Sequence, residues 1–275
     1  MADSVPFELL AWGHFEPGRL FVRWFEEERP TTATLEALIA REWEVRSAEA
    51  RQKDQILFNG RLARYLRHTT RDNCLTLDVG PTDYRAFVGT NLYNNHRVAE
   101  FGWERFANPV GTTGLLISSD GMLVLGRRNQ RVAFHGGYLH TIGGSLEAID
   151  RAGEGAMDGF AGVRRELAEE VGITEADVLD IECVGLARDT QILQPELLFE
   201  VRIGIAVAAL AERLDADDPQ QEHTGLEFCP DRPDAIAEFL NRSKPVAPVA
   251  TAALLLHGRL AWGEGWYGTA CRALR

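Results

Sequence analysis

Little in this sequence suits a disulfide-built, zinc-knuckle or membrane-spanning protein. The four cysteines, Cys74, Cys183, Cys229 and Cys271, lie far apart with no C-x-x-C pair. That spacing excludes the common zinc motifs and reads as ordinary reduced thiols of a cytoplasmic protein. No apolar run approaches the length needed to cross a bilayer, so no membrane partner is expected. Met1 to Leu10 carries Asp3 and Glu8 without a basic start and an apolar run, so no secretory signal is read there. Positive charge is scarce: 29 Lys and Arg face 41 Asp and Glu, a net charge of −12. This balance argues against a nucleic-acid partner, whose phosphates call for a basic face. It also means that a polyanionic small molecule needs local arginines or divalent cations to overcome the background repulsion. Internal repeats and low-complexity linkers are absent too.

What is present suits a soluble globular chain. Its 275 residues, 45% hydrophobic and 25% charged, allow one large domain or two smaller ones. Residues 20–25 read as a strand, and Pro30 with the threonines after it opens a helix with Leu35, Leu38, Ile39 and Trp43 on one stripe. Residues 56–65 read as a hairpin around Asn59-Gly60, and 74–79 as a half-buried strand. Residues 115–118 and 122–125 flank Asp120-Gly121, a second hairpin signal. A glycine bend at Gly143-Gly144 leads to a helix near 159–171. Strands follow at about 181–187, 197–207 and 225–229, and helices near 233–241 and 248–260. Short strands mixed with a few helices predict an α+β layered architecture rather than a regular βαβ alternation.

The chemistry lies in Arg165-Glu166-Leu167-Ala168-Glu169-Glu170-Val171-Gly172-Ile173. On a helix, Glu166, Glu169 and Glu170 stand at i, i+3 and i+4 on one side, while Phe160, Val163, Leu167 and Val171 form the neighbouring stripe that packs on a sheet. Gly172 sits where a left-handed helix terminus is common. Carboxylates stacked in this way repel one another. Mg2+ is the natural compensating partner, a hard cation that takes one or two carboxylates, waters and substrate phosphates; Mn2+ is an alternative.

Together with Gly143-Gly144-Ser145-Leu146-Glu147, this segment resembles the signature of the Nudix hydrolases, a glycine pair and acidic residues followed by R-E-U-x-E-E-x-G-U, with U aliphatic. The second half matches at every defined position. The first half departs from the pattern: Ile142 stands where proline is usual, Asp150 where glutamate is usual, and residues 151–164 make a longer spacing than the family's, read as an extended loop. The resemblance implies an α/β/α sandwich with a mixed sheet over residues 106–275, preceded by an N-terminal α/β extension over 1–105 that contributes to substrate recognition. It implies Glu166, Glu169 and Glu170 as metal ligands, with help from the backbone of Gly144, and Arg165 as the residue that orients a glutamate. Glu222, in the loop before the strand at 225–229, matches a position where many Nudix enzymes keep a catalytic glutamate. His223 beside it has the weaker claim.

A narrower resemblance runs through Asp83-Tyr84-Arg85-Ala86-Phe87-Val88-Gly89-Thr90-Asn91, which is similar to the SYRDFLGTN stretch of the animal UDP-glucose pyrophosphatase branch. It continues at Asn108–Gly111, Leu125–Arg128, Val184–Asp189 and Glu222–Gly225. It implies hydrolysis of UDP-glucose or UDP-galactose to UMP and a sugar 1-phosphate. Tyr84 and Phe87 offer faces for a base, Thr90 and Asn91 offer hydrogen bonds, and Arg127, Arg128 and Arg188 are candidates for phosphate. ADP-ribose, a dinucleotide, or a nucleotide-sugar sensor without turnover are the competing readings. The oligomeric state stays open.

Overall fold

The computed structural model describes residues 5–53, 57–132, 134–214, 222–241 and 245–274. Along the chain run β1 (Phe7–Phe15), β2 (Leu20–Trp24), α1 (Ala33–Gln52), β3 (Arg61–Arg71), β4 (Cys74–Asp83) and α2 (Tyr84–Phe87), which passes into a π-helical turn at Val88–Leu92. Next come α3 (Val98–Phe101), β5 (Gly111–Ile117), β6 (Met122–Arg128), β7 (Leu139–His140), β8 (Ile142–Ser145), β9 (Ala156–Met157) and α4 (Gly159–Val171). The chain closes with β10 (Val178–Asp189), β11 (Pro195–Ile203), α5 (Val207–Ala211), β12 (His223–Pro230), α6 (Pro233–Leu240) and α7 (Pro248–Ala273).

Among the described residues the larger sheet has the order β1-β10-β11-β5-β6-β12, with β8 beside β5 and β7 beside β6. It is mixed, because β11 and β5 run parallel while their neighbours are antiparallel. A smaller sheet has the order β3-β4-β2-β9. β5 is buried along its whole length, as a strand covered on both faces must be. Leu116 packs into a core with Val163, Leu167, Val22, Leu75 and Leu77, from α4 and the small sheet. Leu115 and Ile117 point the other way, onto Ile236, Phe239 and Leu254 of α6 and α7. The layering is therefore helix and small sheet, large sheet, then helices, a mixed α+β architecture. No helix among the described residues is long and apolar enough to cross a membrane.

Two local readings are corrected. Asn59-Gly60 makes no hairpin, and Ile56 lies outside the described residues. β3 turns instead into β4 at Asp72 and Asn73, with φ of 51° and 56°, and Arg71 faces Cys74 across the turn. Both dipeptides tolerate positive φ, and the long pairing of β3 with β4 selects the second. Asn59 and Gly60 cap α2 instead: Asn59 Oδ1 accepts the Arg85 N–H at 2.7 Å and Gly60 O accepts that of Tyr84 at 2.9 Å. The glycine pair, second, forms no bend but lies inside β8, with Gly143 opposite Thr113 and Gly144 opposite Thr112. β5 and β6 pair only around Leu116 and Ile117 and then splay apart. β7 and β8 fill the opening, one on each strand. The candidate site lies at this splayed end.

Candidate active site

Helix α4 carries the acidic residues. It starts at Asp158, whose Oδ1 accepts the N–H groups of Phe160 and Ala161 at 2.9 and 3.0 Å, an N-cap that satisfies two otherwise orphaned donors. It ends at Gly172, with φ of 64° in the left-handed region. Burial of Phe160, Val163, Leu167 and Val171 in the core turns Glu166 and Glu170 toward β8, where they are 8% and 7% exposed. Glycine is required opposite them: a Cβ on Gly144 would lie 2.4 Å from Glu166 Oε1. The Gly143 N–H donates to Glu170 Oε2 at 3.2 Å. Glu169 is different. Its side chain is 61% exposed and meets Arg165 Nη1 at 3.5 Å, the same nitrogen that donates to Glu166. Among the described residues no three His, Cys, Asp or Glu side chains form a ready-made metal cage. The arrangement is a buried pair with a third, exposed carboxylate beside Arg165.

Arg165 braces the pair. It donates to Glu166 Oε1 at 2.8 Å, to Asp150 at 3.2 Å and to the Ser145 carbonyl at 3.2 Å. Asp150 Oδ2 also accepts the Glu147 N–H at 2.8 Å. Asp150, which stands in the departing half of the signature, thus anchors the arginine. Burial works against the Arg165 charge, yet Asp150, Glu166 and Glu147 hold the guanidinium above its ordinary range. Burial pushes the Glu166 carboxyl up to about 7; Arg165 counters this, and Glu169 and Glu222 add to it. The Glu170 carboxyl is driven well above its usual value by burial, then by the charges of Glu222 and Glu166. In both, burial is the largest cause and neighbouring carboxylates add to it.

Glu222, immediately before β12, stands 3.5 Å from Arg128 Nη1. Arg128 is 5% exposed, its guanidinium lies 4.9 Å from the centre of the Phe134 ring, and its Nε has no hydrogen-bond partner among the described residues. Tyr84 feels both members of this pair. Burial pushes its phenol up to about 12, with Glu222 raising it and Arg128 lowering it. Glu222 and Arg128 thus form a pair whose charges act on the Glu170 carboxyl, while Tyr84 packs edge-on to Trp43 and Phe87 within electrostatic reach of that pair. Phe87, Thr90 and Asn91 are buried and have structural partners. Phe87 packs with Leu35, Ile39 and Phe106 in a core of its own. Thr90 Oγ1 donates to the Ala86 carbonyl at 2.6 Å, and Asn91 Nδ2 donates to Asn108 Oδ1 and to the Ile192 carbonyl at 3.0 Å each. Their polar atoms hold the π-helical turn against two loops. Arg127 projects from the opposite face of β6 to Arg128 and pairs with Glu227. Arg188 pairs with Glu8 and lies over Trp103. Neither partner set includes Glu166 or Glu170.

The chain is 27% identical over 209 residues to Nudix hydrolase 9 of Arabidopsis thaliana, a match that takes in 61% of this chain and 63% of that protein. The likeness supports the Nudix hydrolase superfamily. This chain spans less than two thirds of that relative's length. No family model matches the chain. Among solved structures, similarity extends to a variant of the Bacillus subtilis pyrophosphohydrolase BsRppH, with 15% identity over 57% of this chain and 85% of that one and a TM-score of 0.35. It also extends to a MutT protein from Methanosarcina mazei, with 17% identity over 56% of this chain and 94% of that one and a TM-score of 0.33.

The two halves of the Nudix-like signature, far apart in sequence, meet in space at β8 and α4. The long segment between them folds aside. After a 3-10 turn at Ala148–Asp150, Arg151 bridges to Met157, and β9 joins the edge of the small sheet opposite Val22 and Arg23. Beyond the Nudix pattern, sequence reasoning passed over Glu196. It is buried beneath Gly111, and burial first, then the charge of Asp189, raises its carboxyl to about 8 against the pull of Arg128. A charged residue inside the apolar run Pro195-Glu196-Leu197-Leu198-Phe199 was the available signal. His135, whose Nε2 lies 2.9 Å from Asp189 Oδ2 in a buried pair, offered no such signal.

Proposed function

We propose that this chain is a Mg2+-dependent diphosphatase for nucleoside diphosphate-linked substrates, with UDP-glucose or UDP-galactose as the substrate class. One observation carries the reading: Glu166 and Glu170, one helical turn apart and buried, abut the Gly143–Gly144 backbone, where the absence of a glycine side chain makes room for them. Two carboxylates at an open position suit Mg2+, which keeps several waters and completes its shell with substrate phosphate. Glu166 and Glu170 would hold the ion, with Glu169 at the rim.

A bound cation would neutralise the diphosphate and lower the pKa of a water. Hydrolysis joins the oxygen of water to one phosphorus, breaks the bridging P–O bond and releases a proton, giving UMP and sugar 1-phosphate. The protein's own groups supply positioning. Arg165 holds the Glu166 carboxylate, and the Gly143 N–H holds that of Glu170. Arg128, whose charge acts on Glu170, would offer a guanidinium to phosphate oxygens, and Tyr84 would offer its ring to the nucleoside. Tyr84 comes from residues 1–105, which would thus serve substrate recognition, while residues 106–275 carry the hydrolytic centre. Glu222, within reach of Arg128, is the candidate for proton transfer.

A panel of UDP-sugars, ADP-ribose and dinucleotides with Mg2+, read by phosphate release after a phosphatase step, tests the assignment. The expected result is fastest release from UDP-glucose or UDP-galactose, and a Glu170→Gln variant that still binds UDP-glucose while its turnover falls by about 10²–10³-fold. Faster release from ADP-ribose would reassign the base. Binding without turnover under every divalent ion would make the chain a sensor.

A further inference from the structure

His223 opens β12, faces Arg128 across the β12–β6 pairing, and is fully buried. Neither of its ring nitrogens has a hydrogen-bond partner among the described residues. Leaving a buried donor and acceptor unmet costs stability, so an imidazole kept only for packing would be poorly chosen here. The fold nevertheless makes room for it. The ring lies flat against Gly126, where a Cβ would come within 2.1 Å of His223 Cδ2. The strand register aims the other edge of the ring at the carboxylates, placing Nδ1 3.5 Å from Glu170 Oε2. Facing a carboxylate oxygen, Nδ1 is the ring nitrogen placed to donate.

We propose that His223 is a positioning residue for Glu170, donating from Nδ1 to Oε2 of the carboxylate as the cation binds. The Gly143 N–H already donates to that same oxygen. Two donors on Oε2 would fix the carboxylate's rotation. At 3.5 Å the contact is longer than a hydrogen bond; a shift of a few tenths of an ångström closes it, as often happens at catalytic centres when the ligand arrives. The inference rests on the function proposed above, because it assigns a role toward the ion that Glu166 and Glu170 would hold.

The test is Mn2+ binding to the full chain, followed by the electron paramagnetic resonance of free Mn2+, for wild type, His223→Leu, His223→Asn and Glu170→Gln. Leucine removes both ring nitrogens; asparagine restores a donor near the place of Nδ1. His223→Leu should weaken Mn2+ binding by roughly 10–100-fold, the usual cost of losing a group that orients a metal ligand. Its melting temperature without metal should be unchanged or higher. His223→Asn should recover most of the affinity. If His223→Leu fails to fold, His223→Asn compared with His223→Gln, whose amide reaches the Nε2 position instead, carries the same contrast. Equal affinity in wild type and His223→Leu, or in asparagine and glutamine variants, overturns the role of His223. If Glu170→Gln still loses binding in that case, the metal site stands without it. A wild type that takes up no Mn2+ overturns both.

Discussion

Two buried clusters of ionisable groups, on different parts of the fold, are built on opposite plans. In the first, His257 of α7 lies between Glu200 of β11 and Asp231, with Nδ1 3.0 Å from one carboxylate and Nε2 2.7 Å from the other. Burial alone would discharge the imidazole, but the bonds to Asp231 and Glu200 outweigh it and raise its pKa to about 9. The cluster is saturated. In the second, at the seam of α4 and β8, Arg165 donates to Glu166 and the Gly143 N–H to Glu170, and burial pushes both carboxyls upward. The first cluster balances its buried charges among its own members; in the second the carboxyls stay raised, as is common at sites that take a ligand.

Perturbing the two clusters should therefore give different results. The largest effect on stability belongs to the saturated one. The folded-state pKa of His257, about 9, exceeds the ordinary value of 6.5. Its contribution is fully present below about pH 6.5 and is lost as pH rises through 9, a change on the order of 3 kcal/mol. Urea denaturation at pH 6 and pH 10 should show that loss in wild type, and a His257→Gln variant should be less stable at pH 6 with a flatter profile. Turnover per folded molecule should stay near wild type in that variant. Gly144→Ala should do the reverse. The new Cβ, 2.4 Å from Glu166 Oε1, forces the carboxylate out of place. Turnover should fall by roughly 10–100-fold, while overpacking costs about 1–3 kcal/mol. Unchanged kinetics for Gly144→Ala would mean that the seam is not the reactive centre. The smallest effect is expected at Arg127 and Arg188. Their partners are Glu227 and Glu8, so replacing either arginine with alanine should change kcat/KM by less than about threefold and stability by less than about 1 kcal/mol.

The same contrast explains how far the sequence could be read. Helix α4 was legible because four apolar residues mark its buried face and Gly172 its end, so period and terminus agree. The β5–β6 hairpin was legible from Asp120-Gly121 between two apolar runs. The exposure of Glu169 was not. At about 100° per residue, Glu170 lies only about 40° around the helix from Glu166, whereas Glu169 lies about 60° to the other side, enough to leave it in solvent. The hairpin placed at Asn59-Gly60 failed because a turn-competent dipeptide makes a hairpin only if strands pair across it, and β3 pairs with β4. The structural partners of Phe87, Thr90 and Asn91 were not legible for a related reason. An aromatic and two small polar residues look alike in a cleft and in a scaffold until the partners of their atoms are known. The His257 cluster left no local trace, since Glu200, Asp231 and His257 come from three separate elements.

The central claim is tested most directly by a crystal of the full chain grown with UDP-glucose and Ca2+ in place of a catalytic ion. The account predicts the ion on the carboxylates of Glu166 and Glu170, with the diphosphate bound to it and Arg128 within reach of the phosphate oxygens. A cation held elsewhere, or UDP-glucose bound away from β8 and α4, would contradict it.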